Sequence, residues 1–195
     1  MLSLGSTPTR PSATPRAFVA AAAAACYVGA IVLANWMITH VGVPNDHGTH
    51  FAPVGFGLDA PSGVYAAAVA FPARDIVQRA AGRGAGLVAI GIGAAISWFV
   101  STPEVAVASA TTFVVSETVD FGVFTLLWRS GLVRAVAVSS SASLLADSYL
   151  FVLLLGLPST AVPGQVLGKT WVVLATLPLV WALRRLRALQ FNTTS

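Results

Sequence analysis

The stretch Thr111 to Phe124, TTFVVSETVDFGVF, carries two carboxylates, Glu117 and Asp120, inside a run apolar enough to cross a membrane. On insertion scales a charged side chain near the bilayer centre costs roughly 2.5–3.5 kcal/mol, so such residues mark functional sites by default. Three positions apart on a helix, the two acids point to nearly the same side. A face of this kind can accept hydrogen bonds from a ligand, balance a buried cation or take up a proton. Arg74, Asp75 and Asp147 lie at interior depth in other apolar runs, and Lys169 sits near one end of the last. One arginine against four acids leaves a charge of −3, and Lys169 brings it to −2. That excess cannot stay dry and unpaired, so some acids are expected to pair, hold protons or face water.

Neutral polar groups accompany these charges. In FPARDIVQR, Arg74, Asp75 and Gln78 follow Pro72. Two readings stand: a helix end near the interface where Arg74 snorkels, or a Pro-broken helix offering polar groups to a cavity. Ser139, Ser140, Ser143, Asp147 and Ser148 form a stripe at helical spacing, suited either to close packing or to a polar wall. Gln165 and Lys169 are four apart and share a helix face, as an interfacial anchor or as part of a site. Asn35 closes the first apolar run beside Trp36, a residue type common at membrane interfaces. His47 and His50 in HGTH have a metal-like spacing but lie in a Gly-rich loop without a third ligand, so neither metal nor cofactor is expected. There is no Gly-rich phosphate loop and no Ser-His-Asp order, and nothing demands an enzyme.

The elements that hold these residues follow from composition. The chain of 195 residues is 56% hydrophobic and 9% charged, with a mean hydropathy of +0.80; soluble domains are about 25% charged. Residues 1–16 read as a disordered polar lead. Six spans are expected: Ala17 to Thr39, Ser62 to Gln78, Gly86 to Val100, Glu104 to Trp128, Leu132 to Gly156 and Val166 to Leu183. The first is too long for a signal-peptide core. Nine of the eleven basic residues fall in the lead, the tail or the loops around Arg79–Arg83 and Arg129–Arg134, all on one side. The loops 40–61, 101–103 and 157–165 contain none. By the positive-inside rule this predicts an all-α, six-helix polytopic membrane protein with both termini cytoplasmic, a transmembrane domain over 17–187 and a short tail over 188–195. The scattered arginines form no basic face, so nucleic acid is not an expected partner. The lone Cys26 permits no disulfide framework, and Asn192-Thr193-Thr194 fits a glycosylation sequon on the cytoplasmic side of this topology. Ala20 to Ala25 could serve as a docking face for a partner helix or as plain span filler.

Four blocks, LANWM (33–37), FPARDIVQRAAG (71–82), SETVDFGVF (116–124) and SSSASLLADSYLFV (139–152), come in an order that resembles the VUT family of queuosine-precursor transporters. A fifth, GQVLGKTWVVL (164–174), resembles that family's Lys-bearing last helix. The resemblance covers five of the six expected spans. It implies import of a 7-deazaguanine base across the cytoplasmic membrane, by a bundle similar to the substrate-binding subunits of energy-coupling-factor importers. It puts Asp75, Glu117, Asp120, Asp147 and Lys169 on the family's polar motifs. A carboxylate of Glu117, Asp120 or Asp147 would accept the base's adjacent N–H groups, and Lys169, Gln165 or Asn35 would donate to its carbonyl. Phe113, Phe121, Tyr149 and Trp36 are the candidate ring partners, and Arg74 completes the candidate set. A second copy of the chain or an energising transporter subunit are the protein partners such a role admits. The alternatives from other classes are a binding subunit of an ATP-driven vitamin importer and a structural membrane protein whose acids serve as glue.

Overall fold

The computed structural model of the chain describes residues 14–46, 48–100 and 103–183. Six helices carry most of it: α1 (Thr14–His40), α2 (Val64–Ala81), α3 (Arg83–Val100), α4 (Pro103–Leu126), α5 (Leu132–Leu154) and α6 (Ala161–Leu183). Each expected span coincides with one helix, and α6 begins five residues earlier than expected, which brings Gln165 inside it. Arg10, His47, Arg184, Arg185, Arg187 and the sequon at Asn192 lie outside the described residues.

Loop 40–61 departs from the all-helical expectation. It folds into a three-stranded antiparallel sheet, β1 (Val43–Pro44), β2 (His50–Gly55) and β3 (Leu58–Pro61), in that order. Phe51 stands opposite both Val43 and Pro61, and Ala52 opposite Ala60. Periodicity gave no warning, because a proline falls in each strand; Pro53, in the central strand, sits at its register shift, a place where proline is tolerated.

Five helices, α1 and α3 to α6, are long and apolar enough to cross a membrane. Even the shortest, at 18 residues, spans about 27 Å at ~1.5 Å per residue, close to a hydrocarbon core of ~30 Å. Their outward faces carry Trp98, Phe99, Leu126, Leu153 and Leu179 exposed. In water such a surface would drive association; in lipid it is the solvated face. The chain is a multi-pass membrane protein.

Helix α2 is the exception, and its place explains why. It packs against all five other helices, and eight successive residues, Phe71 to Gln78, are buried all round. A helix buried along this stretch among five others can carry Arg74, Asp75, Gln78 and Arg79. Both sequence readings of Pro72 are corrected. The helix continues through it to Ala81, and Arg74 is wholly buried rather than snorkelling to an interface. Gly82 then turns the chain with a φ of 96°, a conformation that costs glycine little, so α3 can begin at the next residue.

The sheet closes one end of the bundle, and side chains there bond to backbone carbonyls. Trp171 Nε1 donates to the Val54 carbonyl at 3.1 Å, Tyr65 to Pro53 at 2.9 Å and Ser62 to Met37 at 2.7 Å. On α6, a Cβ at Gly164 would sit 2.0 Å from the Asp59 carbonyl oxygen, and one at Gly168 would touch Val54 and Val64 at 3.0 Å. These two glycines share a face and let β2 and β3 lie directly on the helix. The substitution Gly164→Ala is therefore expected to displace the strand and destabilise the protein by about 1–3 kcal/mol, the usual range for overpacking. Gly91→Ala, where a Cβ would meet nothing within 4 Å, should be neutral or slightly stabilising. Thermal unfolding of the two variants in detergent checks the contrast; equal melting points would remove the role given to Gly164.

Candidate functional site

Seven of the eight residues singled out in the sequence separate into two polar centres, and Asn35 stands apart on α1. The first is built around Arg74 at the middle of α2. Its Nε donates to Glu117 Oε2 at 2.9 Å, and its Nη1 donates to Gln78 Oε1 at 2.5 Å. Its Nη2 forms ion pairs with Asp75 Oδ1 at 2.8 Å and Asp120 Oδ2 at 2.7 Å. All four charged side chains are fully buried. Ser139 on α5 donates to Asp75 Oδ2 at 2.8 Å, and Gln78 passes a hydrogen bond on to Thr125 at 2.9 Å. The Phe121 ring lies 5.9 Å from the guanidinium carbon. The shared face expected of Glu117 and Asp120 is thus real, and its direct partner is a guanidinium.

The second centre lies nearer the sheet. Lys169 on α6 pairs with Asp147 Oδ2 on α5. The same ammonium donates to Gln165 Oε1 at 2.5 Å and to Ser148 Oγ at 3.2 Å. An ammonium has three protons, so Lys169 is fully used within the protein. Ser116 Oγ lies 3.2 Å from both Asp147 Oδ1 and the Phe113 carbonyl, and shares its one proton between them. Because Ser116 precedes Glu117 in the chain, the bond to Asp147 runs between the two centres.

Beside the second centre is a cavity of about 70 Å³, lined from all six helices. At ~10–15 Å³ per water centre it has room for roughly five waters. Asn35, Asp147, Gln165 and Lys169 line it; Arg74, Asp75, Glu117 and Asp120 do not. Phe71, Phe113 and Phe151 supply flat apolar walls. Of the other aromatic candidates, Phe121 faces Arg74, and Trp36 and Tyr149 are exposed on the outside of the bundle.

The unspent hydrogen-bonding groups on this wall are few and specific. Gln165 is 2% exposed and its Nε2 has no partner, because its Oε1 faces Lys169. Thr112 is 1% exposed and its Oγ1 has no partner either. Asp147 keeps its carboxylate 15% exposed at the cavity. Asn35 is occupied, donating to Ile31 and accepting from Ser109. A buried polar group without a partner costs about 1–3 kcal/mol, so two at one cavity indicate a place where something polar binds.

Sequence reasoning missed Thr112, Phe71, Phe151, Ser97 and Ser109, all of which line the cavity. A signal existed on α4: Ser109, Thr112 and Ser116 recur at helical spacing just ahead of the acids. Phe71 and Phe151 carried none, since an apolar residue in an apolar run does not announce which way it faces.

Compared with known proteins, the chain matches no family model, no curated protein and no solved structure. Fold and site together define a multi-pass membrane protein with a buried ion cluster and a separate polar cavity.

Removing Arg74 would strand three carboxylates in the centre of the bundle. Breaking a buried pair by deleting one partner costs about 3–5 kcal/mol, so Arg74→Met is expected to abolish recovery of monodisperse protein from detergent. Arg74→Lys keeps the charge but loses the fork that meets several acceptors at once, and should fall between that variant and the parent. Lys169→Met leaves Asp147 with the Ser116 bond and partial exposure, and should cost less than Arg74→Met. Size-exclusion profiles and melting temperatures of the three variants check the order.

Proposed function

We propose that the chain is an importer of 7-deazaguanine bases, precursors of queuosine such as 7-cyano-7-deazaguanine. In this reading it crosses the cytoplasmic membrane six times with both termini inside, acts as a transporter rather than an enzyme, and needs no metal or cofactor. The observation that carries the proposal is the cavity, with its two unpartnered neutral groups and its phenyl walls. The sequence blocks that resemble the VUT family name the ligand class.

The chemistry of the wall suits such a base. Gln165 Nε2 is placed to donate to the ring carbonyl, a role Lys169 cannot take with its protons spent. The Asp147 carboxylate can accept from the adjacent N–H and NH₂ groups through its remaining lone pairs. Thr112 can serve either as donor or as acceptor. Phe71, Phe113 and Phe151 cover the ring faces. Six traversals are consistent with α2 lying among helices of spanning length.

A second reading, a binding subunit of an ATP-driven importer, draws on an apolar groove of about 620 Å³ between α1, α2 and α6. Ala22 and Ala23, within the alanine run noted in the sequence, line it. Uptake in a host without any such ATPase complex would exclude an obligate requirement for one.

Bound ligand stabilises a protein by RT ln(1 + [L]/Kd), about 2.7 kcal/mol at a hundredfold excess over Kd. 7-Cyano-7-deazaguanine is therefore expected to raise the melting temperature of the purified protein, and adenine to leave it unchanged. Gln165→Leu should weaken the response by about tenfold in ligand concentration, the equivalent of ~1.4 kcal/mol. Uptake of the labelled base by cells that cannot make it should fall in parallel. No uptake by the parent protein would refute transport, and an unchanged Gln165→Leu variant would refute the cavity as the site.

A further inference from the structure

We propose that the Arg74 cluster is a proton-carrying site whose three carboxylates share the proton that is taken up and given up, and that it drives ligand movement through the cavity. The proposal rests on the transport reading above for its coupling and on the cluster alone for its proton.

Charge and geometry argue for the site. Three carboxylates, Asp75, Glu117 and Asp120, face one guanidinium, and none of the four touches solvent. Arginine does not give up its proton in proteins, so any neutralisation falls on the acids. Fully ionised, the cluster carries −2 inside the membrane, and two bound protons make it neutral. Asp75 accepts from Ser139, and Glu117 accepts from Arg74 Nε; both bonds favour the charged form. Asp120 meets Arg74 at 2.7 Å as an ion pair, yet neither of its oxygens receives a well-aligned hydrogen bond. Other groups near the cluster are the buried, unpartnered hydroxyl of Tyr27 on α1, and the Asp147–Lys169 pair of α5 and α6 beyond Ser116. On α3, Gly93 approaches Tyr27 without any charge.

The cluster also sits in the right place to couple. On the cavity side, Ser116 and Glu117 are neighbours on α4, so a shift of Glu117 in its ion pair moves the serine that holds Asp147. On the far side, Gln78 bonds to Thr125, and Arg79 both donates to the Trp128 carbonyl at 2.9 Å and stacks on its ring. A polar line thus follows α2 and α4 from the cavity to the end of the bundle opposite the sheet. The step balances simply: a proton binds a carboxylate oxygen of the cluster from one side, forming a neutral acid, and leaves to the other side as that acid ionises again.

Two measurements on the full chain test this. Infrared spectroscopy of the protein in lipid, without ligand, should show the carbonyl stretch of a protonated carboxyl that shrinks in Asp120→Asn. In proteoliposomes, an inward proton gradient should drive accumulation of labelled 7-cyano-7-deazaguanine above the outside concentration. Asp120→Asn should lose that accumulation while retaining ligand-induced thermal stabilisation. Should Asp120→Asn not fold, Glu117→Gln is read the same way, because any loss of a proton-sharing acid alters the band. A missing band, or one unmoved by both variants, overturns the proton site. A normal band with accumulation indifferent to the gradient overturns the coupling. A normal band with no ligand response at all leaves the proton site standing and refutes the ligand assignment instead.

Discussion

The guanidinium of Arg74 dictates the arrangement of the bundle. A cation this deep needs anions within contact distance, and it draws on one from its own helix and two from α4. Those ion pairs fix the rotation of α2 against α4, and Ser139 adds α5 to the same junction. Helix α2 must then be shielded from lipid, and α1, α3 and α6 complete the shield. Such a cluster is weak evidence for stability in itself, since desolvation offsets much of the attraction. What it secures is a particular alignment: a slip of one residue in α4 would point Glu117 and Asp120 at other neighbours.

Helix α6 shows how one short stretch serves two purposes. In GQVLGK, the glycines at 164 and 168 face the sheet, and Gln165 and Lys169, one position on, face the cavity. The close approach that the glycines permit seats the sheet over the cavity end, where Pro61 and Gly63 join its lining. Lys169 in turn orients Gln165 by taking its carbonyl oxygen, which turns the amide nitrogen away from any internal partner. The lysine thus acts on the cavity through its neighbour.

The helices were legible in the sequence because apolar length is a coarse signal, and charge alternation in the loops supports the same boundaries. The pairing of Glu117 with Asp120 on one face was legible from spacing alone. The identity of their partner was not. Arg74 follows a proline in a segment whose composition equally describes an interfacial helix end, and only tertiary placement among five helices makes it central. Four candidates, Asn35, Asp147, Gln165 and Lys169, meet at the cavity, while the acids that drew attention first stand apart from it. The sheet stayed hidden because its strands are short, proline-bearing and set by long-range contacts with α1 and α6.

Separating the two centres has an electrostatic consequence for what the cavity can hold. The ionised groups at its wall, Asp147 and Lys169, cancel each other, and the groups left free, Gln165 Nε2 and Thr112 Oγ1, are neutral. A cavity without net charge and with three phenyl faces favours an uncharged, flat, polar-edged ligand over an ion, because an ion would enter a low-dielectric site without a counter-charge. The surplus negative charge is held one helical turn deeper on α4, behind Ser116, where Arg74 partly offsets it. Were Glu117 or Asp120 exposed at the cavity, the same site would attract cations and repel a carbonyl oxygen. Burying the acids against Arg74 keeps the wall neutral while leaving a titratable centre within reach of it.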